Sequence, residues 1–430
     1  MNKMDYQNVK GTQDYLPAQE VVRRNIRRTL EDTFMLYGCK PLETPILNYT
    51  ELMASKYAGG AEILKEMYTL TDRGERDLAL RYDLTIPFAK VIAMNPQLSM
   101  PFKRYEIGKV FRDGPIKAGR FREFTQCDVD VVGIESQSAE AELMVMTIDA
   151  FNKLNIEMLI QFNNRKLLAG LLQYFKVPQL KINSVILILD KMEKIDQVTL
   201  LKELEEQNLS PSTIELIKQF LNANPTIAYF EKYREENELI KQGYEELIEL
   251  QDYLQVLNVG ESCVFNPFLA RGLEIYTGSI YELFLKDGVI KSSIGGGGRY
   301  DNAIGGLIGS EEKFSTVGIS FGLDVIYTAM EQRENSADQA LVDIFIIPLN
   351  TEKEALRLAW QLRQQGNRVE VELSGKKLRK AMEKANRENI RKVIILGENE
   401  IKSGQYEMKD MQTGEVEQFE ILEFRREEKG

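Results

Sequence analysis

Between Phe121 and Val131 the chain alternates with a period of two, a spacing that a strand can use and a helix cannot. The odd positions Phe121, Thr125, Cys127, Val129 and Val131 are mostly apolar, as the core side of a strand requires; Glu123 is the exception. The even positions Arg122, Phe124, Gln126, Asp128 and Asp130 read as an open face. Solvent alone accounts for the polar members of that face but not for the bare ring among them. A cation, a flat ring, an amide and two carboxylates suit a planar, polar, partly anionic ligand such as a nucleotide together with an amino acid. An ordinary hairpin with one wet face fits the periodicity equally well. Upstream, Val110, Phe111 and Arg112 end a first strand, and Asp113, Gly114 and Pro115 open the loop that returns through Gly119 and Arg120.

The chain has 430 residues, enough for two or three domains with sizeable cores. No apolar run reaches the roughly 20 residues of a membrane span, and the N-terminus lacks a signal-peptide core. Three scattered cysteines, Cys39, Cys127 and Cys263, form neither a disulfide framework nor a metal site. These features point to a cytoplasmic protein without membrane partners. A net charge of −11 argues against wholesale adhesion to nucleic acid. Local basic clusters remain, at Arg23, Arg24, Arg27 and Arg28 and again from Lys376 to Lys384, and most such clusters are solvated helix faces.

The sequence contains no histidine. That excludes a Ser-His-Asp triad, a Cys-His pair and every histidine-ligated metal site. Chemistry here has to proceed by positioning and charge stabilisation.

Residues 18–38 read as an amphipathic helix, and 39–48, with Pro41 and Pro45, as an extended segment. Strands are expected near 66–71 and 78–83, a helix after Pro87, and a strong helix over 137–154. Residues 165–256 are rich in Leu, Glu and Lys at helical spacing, with a helix start at Ser210 and Pro211. Strands resume at 262–265, 273–284 and about 289–293. Polar residues 331–340 read as a linker between a domain of residues 1–330 and one of 341–430. Beyond it, strand 342–348, helix 352–365, strand 368–373, helix 375–388, strand 392–396 and a hairpin around Gly414 predict a small α/β domain with a mostly parallel sheet.

The segments FR (111–112), GRFREF (119–124) and QCDVDVVG (126–133) resemble motif 2 of class II aminoacyl-tRNA synthetases, in the form found in histidyl-tRNA synthetases. Four further stretches agree in the family's order: KGTQDYLP (10–17), ALRYDLTIPFA (79–89), LARGLEIYTGSIYE (269–282) and GGGGRYDNAIG (295–305). The resemblance runs from the N-terminus to about residue 425. It implies an α+β class II catalytic domain, an antiparallel sheet flanked by helices, with a helical insertion over about 165–256. The C-terminal α/β domain is then an anticodon-binding domain. The implied reaction joins L-histidine to tRNA(His) with ATP and Mg²⁺, in a homodimer whose interface includes residues 39–48, with Pro45 as the motif 1 proline.

The resemblance also implies roles. Arg112 matches the arginine on the α-phosphate, a fixed fork that binds an anionic oxygen pair as lysine cannot. Phe124 matches the ring that stacks on adenine, and Arg120 lies where it can assist with the phosphates. Arg271 matches a second, family-specific arginine bridging the substrate carboxylate and the α-phosphate. Asp83, Thr85 and Gln126 match the ammonium site. Asp130 and the hydroxyls of Tyr276 and Tyr300 are candidates for the imidazole, whose two nitrogens need a donor and an acceptor; core aromatics with satisfied hydroxyls remain the alternative for the tyrosines. The glycines 295–298 lack GxGxxG spacing and no evident helix follows, so they read as a strand that lets a ligand approach the backbone.

Two departures stand out. Motif 2 usually carries a glutamate two residues after its arginine, where this chain has Gly114 beside Asp113. Motif 3 usually ends in a GLER-like sequence, where this chain has Asp324 and Val325 in place of the last two residues. The loss of that arginine keeps a rival in view, a histidine-binding regulatory paralogue like the regulatory subunit of ATP phosphoribosyltransferase. The absence of histidine suggests a ligase that can still be translated when charged tRNA(His) is scarce.

Overall fold

The computed structural model describes residues 6–55, 64–116, 119, 121–192, 195–270, 275–309, 312–333 and 340–421. The chain forms two compact units, one built from residues up to Arg333 and the other from the C-terminal residues together with Tyr15–Val22.

In the first unit the strands are β1 (Lys40–Pro41), β2 (Leu47–Tyr49), β3 (Thr69–Thr71), β4 (Asp77–Leu80), β5 (Phe102–Phe111), β6 (Glu123–Val132), β7 (Met158–Asn164), β8 (Cys263–Phe265), β9 (Ser279–Leu285), β10 (Gly295–Arg299) and β11 (Thr316–Gly322). Eight of them make one sheet in the order β1-β5-β6-β11-β10-β9-β7-β8. The six inner strands are antiparallel throughout, and each edge strand adds a parallel pair, β1 on β5 and β8 on β7. The sheet is therefore mixed, where the sequence suggested an antiparallel one. Strands β2, β4 and β3 form a separate three-stranded sheet.

The odd side chains of β6 become core as their period requires: Cys127, Val129 and Val131 are buried. Helices Pro17–Leu36 and Ser138–Lys153 meet this face through Phe34 and Phe151, whose rings lie 6.1 and 5.7 Å from Phe321 of β11. Glu123, the exception, sits at the strand's start and pairs with Lys109 across the hairpin. Between β7 and β8 the chain is helical, including Arg165–Tyr174, Ile182–Leu189, Gln197–Glu205, Pro211–Asn222 and Glu238–Val256. Ser210 caps the fourth of these by accepting from the Thr213 amide.

Four local expectations need correction. The helix expected after Pro87 begins earlier, at Thr85, and holds Pro87 in its first turn, where no amide is required. Residues 289–293 are not a strand; pairing stops at Leu285 and resumes at Gly295. A short helix, Asn302–Leu307, does follow the glycine run. Finally, helix Leu323–Arg333 extends into the expected linker, whose residues 334–339 lie outside those described.

The second unit has strands β12 (Ile344–Pro348), β13 (Val369–Val371), β14 (Lys392–Leu396), β15 (Gln405–Asp410) and β16 (Val416–Glu420), ordered β13-β12-β14-β15-β16. Two pairings are parallel and two antiparallel, so the sheet is less parallel than the βαβ alternation implied, because the terminal hairpin adds to its edge. Helix Glu352–Gln364 packs on Ile344 and Ile346, while helix Leu378–Arg387 packs on Phe345 and Ile347. Both faces of β12 are covered, which is why it reads as an unbroken apolar run.

Candidate active site

Strand register builds the site. Along β5 and β6, Arg104 faces Asp130, Glu106 faces Asp128, Gly108 faces Gln126 and Val110 faces Phe124. On the other side of β6, Gly318, Ser320 and Gly322 of β11 face Asp130, Asp128 and Gln126. The even positions of β6 thus form the centre of a three-strand polar face. That face was expected to be open, but Asp128 and Asp130 are only 2% and 3% exposed. Buried carboxylates need partners, and these have them.

Asp130 is flanked by the Arg104 guanidinium at 2.6 Å and by the Tyr300 hydroxyl, which donates to it. A Cβ on Gly318 would lie 2.0 Å from Asp130 Oδ1, so the glycine is what seats this side chain. Arg104 is fully buried, donates to the Leu84 carbonyl at 3.1 Å and lies 4.4 Å from the Phe88 ring centroid. Burial beside Asp130 holds the Tyr300 phenol well above its usual range.

Ser320 donates to Asp128 Oδ1 at 2.5 Å and accepts from Gln126 Nε2 at 2.7 Å. Gln126 Oε1 is buried and accepts from no described residue. Desolvation pushes the Asp128 carboxyl up to about 7, against the pull of Arg104 and with the push of Asp130. Asp83 precedes helix Thr85–Met94 and accepts from the Ile86 amide at 3.2 Å. Burial raises it to about 6, opposed by that amide and by Arg112. Thr85 is the first residue of the same helix.

The other end of the face is built differently. Arg112 follows β5, donates through Nε to the Tyr82 carbonyl at 2.9 Å and lies 5.2 Å from the Phe124 centroid. Arg122 pairs with Asp113 at 2.7 Å and donates to the Gly114 carbonyl at 3.3 Å. Arg120 and Arg271 lie outside the described residues. Val325 packs under Gly119, whose Cβ position would be 3.4 Å from Val325 Cα and 3.5 Å from Cγ2. Asp324 instead points away into the core, where it pairs with Arg23 at 2.5 Å and accepts from the Thr125 amide at 2.7 Å. Arg23 is therefore buried rather than part of a solvated basic face.

The structure thus sets Asp130 and Tyr300 together beside Arg104, which also bonds the carbonyl of Leu84 between Asp83 and Thr85, links Gln126 to Asp128 through Ser320, and sets Arg112 beside Phe124. Tyr276 lies over Gly298, its Cδ1 2.9 Å from where a Cβ would be. The glycine run serves strand packing as well: a Cβ on Gly297 would meet the Gly318 carbonyl at 1.9 Å. Arg299 belongs to the core, in a two-pronged pair with Glu140 at 2.7 Å for each bond. Sequence reasoning missed Arg104, Asp128 as a pocket member and Ser320. The alternation of Arg104, Glu106 and Gly108 along β5 was the available signal for the first.

A mixed sheet with six antiparallel inner strands, whose polar face carries buried carboxylates and ends in an arginine–phenylalanine pair, matches the catalytic architecture of class II aminoacyl-tRNA synthetases. Residues 11–326 match the histidyl-tRNA synthetase family and residues 343–427 the anticodon-binding domain family. The chain therefore belongs to the histidyl-tRNA synthetase family. It is 58% identical to a protein named histidine–tRNA ligase 2 of Shouchella clausii, over 96% of this chain and 98% of that one. It is 56% identical to histidine–tRNA ligase 1 of Bacillus cereus, over 96% and 94%. Among solved structures, histidyl-tRNA synthetase of a Nostoc species superimposes with a TM-score of 0.85 at 29% identity, covering 97% of each chain. A Bacillus halodurans protein described as an ATP phosphoribosyltransferase regulatory subunit/histidyl-tRNA synthetase shares the fold, with a TM-score of 0.77 at 21% identity over 92% of this chain and 99% of that one.

Proposed function

We propose that this chain activates L-histidine with ATP and transfers it to tRNA(His). In the first step a histidine carboxylate oxygen bonds to the α-phosphorus as the bond to pyrophosphate breaks. In the second, a ribose hydroxyl of the tRNA attacks the adenylate carbonyl and AMP leaves. Neither step needs an imidazole base. Arg112 neutralises charge at the α-phosphate, Phe124 stacks on the base, and Arg271 bridges the carboxylate and phosphate, with Arg120 assisting. ATP enters with Mg²⁺, whose ligands are largely phosphate oxygens and water.

The observation that carries the choice of amino acid is the buried Arg104–Asp130–Tyr300 group, with Tyr276 beside it. A fixed acceptor and hydroxyls suit the two imidazole nitrogens, and a side chain lacking them leaves buried groups unpaired. Asp83, Asp128, Gln126 and Thr85 hold the ammonium. The C-terminal unit reads the anticodon. A homodimer and a cytoplasmic location belong to the same reading; Leu36, Ile46, Leu47 and Tyr49 are exposed apolar groups at the motif 1 region, suited to a second copy.

Pyrophosphate exchange with each of the twenty amino acids, run with and without tRNA, tests the proposal. Histidine alone should support exchange. Histidine binding without exchange would favour the regulatory reading, which the substitution at Val325 keeps open and a complete C-terminal unit opposes.

A further inference from the structure

We infer that Gly11 is a positioning residue: through it the N-terminal strap, residues 6–14, holds Arg122 and so fixes Arg112 at the end of β5. The inference rests on Arg112 serving the α-phosphate, as proposed above. Of the five stretches that share the family's order, KGTQDYLP (10–17) alone has no role in that reading. Its start is built as a tight turn. The Thr12 amide and hydroxyl both donate to the Val9 carbonyl, at 2.9 and 2.8 Å, and Gly11 takes the third place of the turn with φ +87°. A type II turn demands that conformation, which glycine adopts without steric cost. The Gly11 carbonyl accepts from two hairpin amides, those of Arg122 at 2.8 Å and Glu123 at 3.3 Å.

The contact is relayed. The Arg122 carbonyl accepts from the Arg112 amide at 2.8 Å, so a single residue joins the strap to Arg112. The side chain of Arg122 is held as well. A Cβ on Gly11 would lie 2.6, 2.7 and 2.8 Å from its Cγ, Cδ and Cβ, so only a glycine lets the strap lie against this stem. The guanidinium at the far end of the stem pairs with Asp113 and donates to the Gly114 carbonyl, which ties down the two residues after Arg112. Core burial does not account for the strap. Tyr6 and Val9 are 87% and 70% exposed, and residues 7, 8, 10, 13 and 14 are exposed too. What the strap contributes is a fixed backbone at Arg112, and a cation stabilises a transferring group best when its place is set before the reaction.

The test compares wild type with Gly11→Ala and with a chain lacking residues 1–12. Histidine-dependent pyrophosphate exchange should fall by about tenfold to a hundredfold in both, the scale of a small misplacement at a reacting centre, with kcat carrying most of the loss. Histidine affinity by calorimetry and the urea midpoint should keep their wild-type values, because the strap is largely exposed and meets the hairpin away from the amino-acid end. Adding Arg122→Ala to Gly11→Ala should cost little more than the worse single change, since both act through one residue. Losses that add, pyrophosphate exchange at the wild-type rate, or a parallel drop in histidine affinity and urea midpoint each overturn the inference. Amide hydrogen exchange gives a readout independent of activity. Without residues 1–12 the Arg112 amide, whose partner is Arg122 rather than the strap, should exchange faster. An Arg112 amide as protected as in wild type overturns the inference. If wild type supports no pyrophosphate exchange, the ligase reading fails, while the Arg112 amide still decides whether the strap holds the hairpin.

Discussion

The two ends of the polar face are built on opposite plans. At the proposed amino-acid end the charged groups project from the middles of β5 and β6, are buried, and neutralise one another through Arg104. At the proposed nucleotide end Arg112, Arg122 and Val325 sit at strand and helix ends, and Gly119 lies against Val325. A site of the first kind is preorganised, because its side chains cannot relax without opening the sheet. A site of the second kind depends on loop placement and tolerates substitution, and both departures from the family motifs, Gly114 and Val325, fall there.

Breaking the first end should be the more costly. Arg104→Met leaves Asp130 buried and uncompensated, an effect on the order of 3–5 kcal/mol in folding stability. Urea denaturation measures it, and a loss under 1 kcal/mol would mean that the buried end is not held by this pair. Arg112→Ala should separate the ends: adenylate formation falls by about 10²–10³ while the denaturation midpoint barely moves. A parallel loss of stability would show that the nucleotide end is as structural as the other.

A subtler separation comes from pH. Asp83 at about 6 and Asp128 at about 7 both stand above the unfolded carboxylate value of about 3.9. The folded chain therefore holds protons that the unfolded chain has lost, and the unliganded protein loses stability as pH rises from about 4 toward 8. A bound ammonium would offset that buried negative charge. Histidine should accordingly raise the melting temperature more at pH 8 than at pH 6, and Asp128→Asn should shrink that difference. An unchanged difference in the variant would remove Asp128 from the ammonium site.

The smallest effect is expected at Val325. Because Gly119 lies against it, an arginine there has to displace the loop before it can reach a nucleotide. That cost offsets the roughly 1–2 kcal/mol of cation–π and phosphate attraction it would add. Val325→Arg should change ATP affinity by less than about threefold in direct binding. Tightening of tenfold or more would show that the loop is free to move and that the valine alone weakens the site.

The period of β6, the glycine and proline punctuation and the order of the motifs are local properties, legible without a structure. They were enough for the family, for Arg112 and Phe124 on the two strands of one hairpin, and for Asp130 on a polar strand face. What they could not convey is which residues from distant segments meet that face. Whether the even positions of β6 are wet or buried depends on Arg104 and Tyr300, and the pairing of Arg104 with Asp130 follows from strand register, which is a relation between two segments. Arg23 reads as one of four surface arginines until Asp324, 301 residues away, is brought against it. Local pattern determines what each segment can become; burial and charge compensation are set by the neighbours it acquires, and only the tertiary structure assigns those.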